Sequence, residues 1–308
     1  MATETAQPRV FTDANGIRQF SRDQRKSGNR IALVPTMGYL HEGHLSLIKA
    51  ARDMADIVIV SIYVNPTQFA QHEDFGVYPR DEEGDMRKLT SLGVNAVFAP
   101  LRLYASGSSA AAGSDAGNVV GAGEHQKGAH ETFIQVEQLQ QPLCGKSRPH
   151  FFRGVATVVA KLFNITEPDI AIFGRKDYQQ LLVLQRMARD LDFAVEVVGM
   201  PIMREEDGLA MSSRNALLSS DNRQKALSIS QSLQWARKMV EDRSAVSPSE
   251  LHDAVASRIA AAGGRVDYVE VVDGSSLEKI QDVTKQPTLI AVAACFGSVR
   301  LIDNIELS

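Results

Sequence analysis

The chain has 308 residues, 44% hydrophobic and 23% charged, the make-up of a globular protein with one large domain or two ordinary ones. A net charge of −4 excludes a general electrostatic affinity for nucleic acid, so any polyanion must be held locally. Two cysteines, Cys144 and Cys295, exclude a disulfide framework and suit a reducing, cytoplasmic setting. Met1 to Arg9 lacks an apolar core and does not read as a signal peptide. The run Ile57 to Val64, interrupted by Ser61, is too short to span a bilayer, so no membrane partner is expected.

In chain order, the spacing predicts a helix over 13–27, a strand over 31–34, a helix over 44–54, a strand over 57–64, a helix over 81–92 and a strand over 94–99. It then predicts a strand over 132–136, a helix over 153–165, a strand over 169–173, a helix over 176–190 and a strand over 194–200. Strands such as Ile57-Val58-Ile59-Val60 are apolar at successive positions, the mark of burial on both faces of a parallel sheet. Alternating strand and helix predict an α/β fold, a Rossmann-like doubly wound parallel sheet over residues 1–202. Helices over 219–242 and 248–262, then β-like runs over 266–272 and 288–302, predict a smaller α+β C-terminal domain over 203–308. Residues 105–129 are rich in Gly, Ala and Ser, with little apolar surface to offset ordering, and read as a mobile surface insertion.

Four stretches bear chemistry. The first, Pro35-Thr36-Met37-Gly38-Tyr39-Leu40-His41-Glu42-Gly43-His44, follows Ile31-Ala32-Leu33-Val34 and reads as strand, glycine turn and helix start. Backbone N–H groups at the positive end of a helix dipole, two imidazoles and close-approach glycines suit a triphosphate. A shared zinc is the alternative for histidines three apart, but no further ligand stands at suitable spacing. The second, Tyr63-Val64-Asn65-Pro66-Thr67-Gln68-Phe69, lies at a strand end, where open sheets bind ligands. Asn65 and Gln68 suit hydroxyls and a carboxylate, although an ordinary Asn-Pro turn would also use these residues.

The third, Phe173-Gly174-Arg175-Lys176-Asp177-Tyr178-Gln179-Gln180, sets a lysine at a helix start, where the dipole disfavours it. A bound phosphate would explain the cation, and so would an ion pair with Asp177. The fourth, Gly208-Leu209-Ala210-Met211-Ser212-Ser213-Arg214-Asn215, offers two hydroxyls and a bidentate arginine to a pyrophosphate, or forms a plain helix cap. Its glycine marks it as the expected lid over the site.

Together with Tyr78-Pro79-Arg80, these stretches in order resemble the pantothenate synthetase family over nearly the whole chain. The first is similar to the HxGH signature of the nucleotidyltransferase superfamily. The resemblance implies that ATP activates pantoate as pantoyl adenylate, and that β-alanine then displaces AMP to give pantothenate. It implies catalytic roles for His44, His41, Lys176 and Arg214. It implies a nucleotide site of Met37, Gly38, Tyr39, Leu40, His41, Glu42, Gly43, His44, Gly174, Arg175, Lys176, Asp177, Met203, Met211, Ser212, Ser213 and Arg214.

Gln68, Gln180 and Asn65 are the implied pantoate ligands, with Gln68 also near β-alanine, and Arg148 faces phosphate. The resemblance further implies Mg2+ with the ATP, a homodimer and a cytoplasmic location. Two departures stand out. Where some relatives carry two adjacent acids after Tyr-Pro-Arg, this chain has Gly84 and Asp85, which leaves Asp85 as the candidate metal ligand. The family histidine falls where Phe151 stands, one place after His150. A nucleotidyltransferase that stops at an adenylylated product, and a nucleotide-binding regulator without activity, are the competing readings.

Overall fold

The computed structural model describes residues 6–69, 74–104, 130–242 and 246–307. Its packing divides the chain into two units. One comprises Met1–Val136, His150–Phe173 and Val183–Met200; the other comprises Glu137–Pro149, Gly174–Leu182 and Pro201–Ser308. The expected cut after residue 202 falls close to Met200, but two short earlier segments group with the C-terminal stretch. The expected insertion at 105–129 lies outside the described residues.

The first unit is built on a six-stranded sheet in the order β1-β4-β3-β2-β5-β6. Its strands are β1 (Arg9–Phe11), β2 (Ile31–Thr36), β3 (Ile57–Ile62), β4 (Ala96–Phe98), β5 (Ile170–Gly174) and β6 (Glu196–Met200). β2 and β3 run parallel from Ile31 opposite Ile57 to Thr36 opposite Ile62, and β2 also pairs with β5 in parallel. Ile31 to Val34 and Ile57 to Val60 are buried, as strands covered on both faces must be. Helix α2 (Glu42–Met54) supplies Leu45, Ile48 and Ala51 to the same core as Val34, Val58 and Ile172. Strand order reverses at β2, so the chain leaves the carboxyl end of β2 at a topological switch point, where open α/β sheets bind ligands.

Two further helices of this region begin at aspartate caps. Asp13 accepts the N–H groups of Asn15 and Gly16 to start α1 (Ala14–Lys26), and Asp81 accepts that of Gly84 to start α3 (Glu82–Ser91). One strand was not expected, and one expected strand is absent. β1 is an exposed three-residue edge strand with too few apolar positions to register as a pattern. Residues 132–136 form no strand, because the Ile134 N–H goes to the Thr157 hydroxyl at 3.0 Å instead of to a ladder.

The second unit holds the antiparallel sheet β7 (Arg265–Asp273), β8 (Thr288–Phe296) and β9 (Val299–Leu307), in that order. The single run expected over 288–302 is two strands, folded back at Gly297 with φ +61°. Every residue of β8 is buried. Leu233 of α7 (Ser220–Asp242) and Leu251, Val255 and Ile259 of α8 (Pro248–Ala261) share a core with Ile290, Val292 and Phe296. The short helix α4 (Cys144–Ser147) precedes α5 (Phe151–Thr166) in sequence. The helix expected from residue 176 begins as a 3-10 turn, Arg175–Asp177, and continues as α6 (Tyr178–Asp190). Both cysteine thiols are free and buried, and among the described residues no helix is long and apolar enough to cross a membrane.

Candidate active site

In the first unit the turn after β2 is held by its own side chains. Gly38 (φ +82°) and Tyr39 (φ +52°) both occupy the left-handed region, which glycine adopts freely and tyrosine only under constraint. The constraint is Asp85, in the first turn of α3. Its two carboxylate oxygens accept the N–H groups of Tyr39 (2.8 Å) and Leu40 (2.7 Å), while Lys88 Nζ donates to the Leu40 carbonyl at 2.6 Å. Asp85 is only 1% exposed. Burial pushes its carboxyl above the ordinary value, against the pull of those two N–H bonds and of Lys88. The expected metal ligand is thus a buried anchor of the turn, with both oxygens engaged by backbone.

α2 begins two residues earlier than periodicity implied, with His41 as its N-cap. His41 Nδ1 accepts the Gly43 N–H at 3.1 Å, and His44 Nδ1 accepts the His41 N–H at 3.3 Å, a capping box made of two histidines. The rings lie 4.1 Å apart, tilted by 36°. Because each Nδ1 is an acceptor, each neutral ring carries its proton on Nε2, the tautomer this network assigns. The expectation of unpaired backbone donors needs correcting: the N–H groups of His41, Gly43 and His44 all have intramolecular acceptors. The donor groups that distinguish this turn are the two imidazole Nε2–H groups. Glu42 is exposed, 3.9 Å from Lys49, and Met37 is half-buried.

After β3, Asn65 is 1% exposed and its side-chain amide is saturated. Oδ1 accepts from the Tyr104 hydroxyl (2.9 Å) and the Thr67 hydroxyl (3.0 Å); Nδ2 donates to Gln68 Oε1 (2.9 Å) and the Gly154 carbonyl (3.2 Å). Asn65, expected to meet pantoate, thus spends its amide on protein partners, one of them Gln68. A Cβ on Gly154 would stand 2.3 Å from the Thr67 carbonyl, so only glycine lets α5 approach this turn.

In the second unit Lys176 Nζ lies 3.3 Å from Asp177 Oδ2, with its side chain 20% exposed, so the ion pair is formed. The turn that carries Lys176 is held from β9. Asn304 Nδ2 donates to the carbonyls of both Arg175 and Lys176 at 2.9 Å. The Arg175 guanidinium turns to Glu306, at 3.0 and 3.2 Å, where the Tyr178 hydroxyl also donates. Burial, then the Glu306 charge, push that hydroxyl up to about 12. Of the twin glutamines, Gln179 is buried: its Nε2 donates to the carbonyls of Leu139 (2.9 Å) and Pro142 (2.6 Å), and its Oε1 accepts the Cys144 N–H (3.1 Å). Gln180, the expected pantoate ligand, is half-buried.

The expected lid is a pinned segment. Arg204 and Ala210 form an antiparallel bridge, Arg223 holds Glu205 and Asp207, and Arg204 grips buried Asp303 through two bonds, 2.7 and 2.9 Å. Ser212 caps the turn Ser213–Leu217 by accepting the Arg214 N–H at 3.3 Å, and Ser213 is buried. Asn215 Nδ2 ties that turn to Glu205 and to the Ala210 carbonyl. Met203 is exposed, Met211, Arg148 and Arg214 are half-buried, and His150 is exposed and makes no side-chain cap bond at the start of α5. Three contributors escaped the sequence reading: Asn304, Tyr104 and Gln179. Only Gln179 stood inside a chemistry-bearing stretch; the other two lie on segments without a local pattern.

A parallel α/β sheet with a histidine-capped helix at its switch point defines an open-sheet α/β protein whose candidate site lies at the carboxyl ends of the strands. Comparison with known proteins narrows this. The profile of the pantoate-beta-alanine ligase family matches residues 9–306. A pantoate--beta-alanine ligase of Lotus japonicus is 52% identical over 307 residues, covering 98% of this chain and 99% of its own. The crystal structure of pantothenate synthetase from Thermus thermophilus superposes with a TM-score of 0.82 at 39% identity, covering 96% of this chain and 98% of its own. That of pantoate-beta-alanine ligase from Francisella tularensis, complexed with beta-gamma ATP and beta-alanine, superposes at 0.75 with 29% identity, covering 97% of both chains. The chain belongs to the pantoate-beta-alanine ligase family, and its members are enzymes.

Proposed function

We propose that this chain joins pantoate to β-alanine in two steps on one enzyme. The pantoate carboxylate attacks the α-phosphate of ATP, forming pantoyl adenylate as pyrophosphate leaves. The β-alanine amine then attacks the acyl carbon, giving pantothenate, a coenzyme A precursor, and AMP. The observation that carries this reading is the histidine pair at the start of α2. Two neutral rings held by their Nδ1 atoms offer Nε2–H donors to phosphate oxygens without adding fixed charge to the resting site. Adenylation asks for in-line positioning and for stabilisation of charge on the leaving oxygen, and preoriented donors supply both. His44 and His41 serve the phosphates, as do Lys176, Ser212, Ser213 and Arg214, with Arg148 facing the same charge. Gln68 and Gln180 hold pantoate by hydroxyl and carboxylate, and Gln68 also meets β-alanine. The beta-gamma ATP and beta-alanine of the Francisella structure support the choice of substrates.

Magnesium would neutralise phosphate charge. Among the described residues no group of three His, Cys, Asp or Glu could hold a metal, and Asp85 is engaged by backbone, so we assign the ion to phosphate oxygens and water. The family resemblance supports a cytoplasmic homodimer, which sedimentation of the purified protein tests by mass. Pyrophosphate exchange tests the chemistry. Pantoate alone should support exchange of labelled pyrophosphate into ATP, with steady AMP release only after β-alanine is added. Exchange that requires β-alanine, or ADP as product, would falsify the adenylate route.

A further inference from the structure

We propose that Tyr104 is a positioning residue for the ligation: its hydroxyl holds Asn65 so that Gln68 meets the substrate carboxylate with its N–H donors. The inference rests on the reading of Gln68 as a pantoate ligand. Tyr104 is 2% exposed, and its ring packs edge-on against His130 at 5.0 Å.

The orientation of both amides follows from one acceptor that cannot be anything else. The Gly154 carbonyl only accepts, so the atom of Asn65 at 3.2 Å from it is Nδ2. The second Nδ2 hydrogen goes to Gln68 at 2.9 Å, which makes that Gln68 atom Oε1. The opposite end of the Gln68 amide is then Nε2, a pair of donors. Two donors match a carboxylate; a flipped amide would set an oxygen against it and repel it. On the far side of Asn65, Oδ1 is held by two hydroxyls, each with a single hydrogen, from Tyr104 and Thr67. These bonds are within hydrogen-bonding range and buried, where a misplaced partner costs most. Thr67 neighbours the turn it stabilises, whereas Tyr104 reaches it from 39 residues on. The Gly154 carbonyl fixes which way the chain of amides runs, and the Tyr104 hydroxyl is the distant bond that holds the opposite end of Asn65 in place.

The test is Tyr104→Phe, which keeps the ring and removes one hydroxyl. Loss of one such bond predicts a KM for pantoate raised about tenfold. The KM for ATP and the thermal midpoint should stay near those of the parent. In a Gln68→Ala background the same substitution should change the pantoate KM less than about twofold, because the amide it orients is gone. An undiminished loss in that background, or a loss shared by ATP, would overturn the relay and leave Tyr104 a packing residue. A Gln68→Ala enzyme with unaltered pantoate KM would overturn the Gln68 reading itself, and the relay with it. The two failures are told apart by which single variant shows them.

Discussion

The histidine turn of the first unit and the lysine turn of the second are built by opposite means. The His44 ring is held by the His41 N–H three residues back, and the His41 ring by the Gly43 N–H two residues on. The Lys176 turn has its carbonyls held by Asn304, 128 residues further along the chain. A local device is formed as soon as its helix forms. A non-local one exists only when β9 is in place, so its precision depends on the stability of a separate sheet. The contrast is not absolute, because Asp85 reaches back to Tyr39 and Leu40 across 45 residues or more. That bond holds the entry to the turn; the rings are set by their own caps.

The largest expected effects treat the two turns alike. His44→Ala and Lys176→Ala each remove a proposed donor to the transferring phosphates, with an expected loss of about 3–4 kcal/mol, or roughly 100- to 1000-fold in adenylation rate. His150→Ala should be nearly silent, since that residue is exposed and makes no cap bond. Single-turnover adenylation measures all three. A loss at His150 that exceeds the one at His44 would invert the assignment.

A smaller pair of variants separates local from distant support. Asn304→Ala leaves two carbonyls without their donor, and Asp85→Asn leaves one buried N–H facing an amide that cannot accept it. Each should cost about 1–3 kcal/mol of stability. Asn304→Ala should also raise the KM for ATP in the parent but not in a Lys176→Ala enzyme. Asp85→Asn should leave the magnesium dependence of the rate unchanged; a shifted magnesium midpoint would restore Asp85 as a metal ligand.

The smallest effect asks whether the second unit has local devices of its own. Asp273 accepts from the hydroxyl and N–H of Ser275 and of Ser276, and those bonds pull its carboxyl down to about 2. A depressed acid contributes stability above its unfolded value and loses it as pH falls through the folded one. Asp273 is close to solvent, which screens much of that gain, so Asp273→Asn should destabilise by less than about 1 kcal/mol near neutrality. That difference should vanish between about pH 4 and pH 2 in denaturation titrations. A difference that persists at pH 2 would point to lost hydrogen bonds alone.

The α/β class and its β2–α2–β3 beginning were legible because successive buried apolar residues and a helical stripe are local patterns. The edge strand β1 was not, being too short to carry one. The non-strand at 132–136 looked like a strand until Thr157 offered its N–H a different partner. Among site residues, the histidines and the Lys176 and Ser-Ser-Arg stretches could be picked from spacing and residue type. For Asn65 and Asp85 the sequence marked polar residues but not the protein groups they bond, since a polar residue looks the same in sequence whether it faces a ligand or a backbone.

By itself, then, the sequence determined the strand–turn–helix at residues 31–54, the parallel class of the first sheet and the residue types able to meet phosphate. Periodicity, glycine and caps act over a few residues and need no further information. Only the tertiary structure decided that Asn65 and Asp85 are supports, that Tyr104 and Asn304 act at distant turns, and which end of the Gln68 amide is the donor. Hydrogen bonds in a buried network depend on which groups meet after the chain has closed its loops, and no local pattern encodes that meeting.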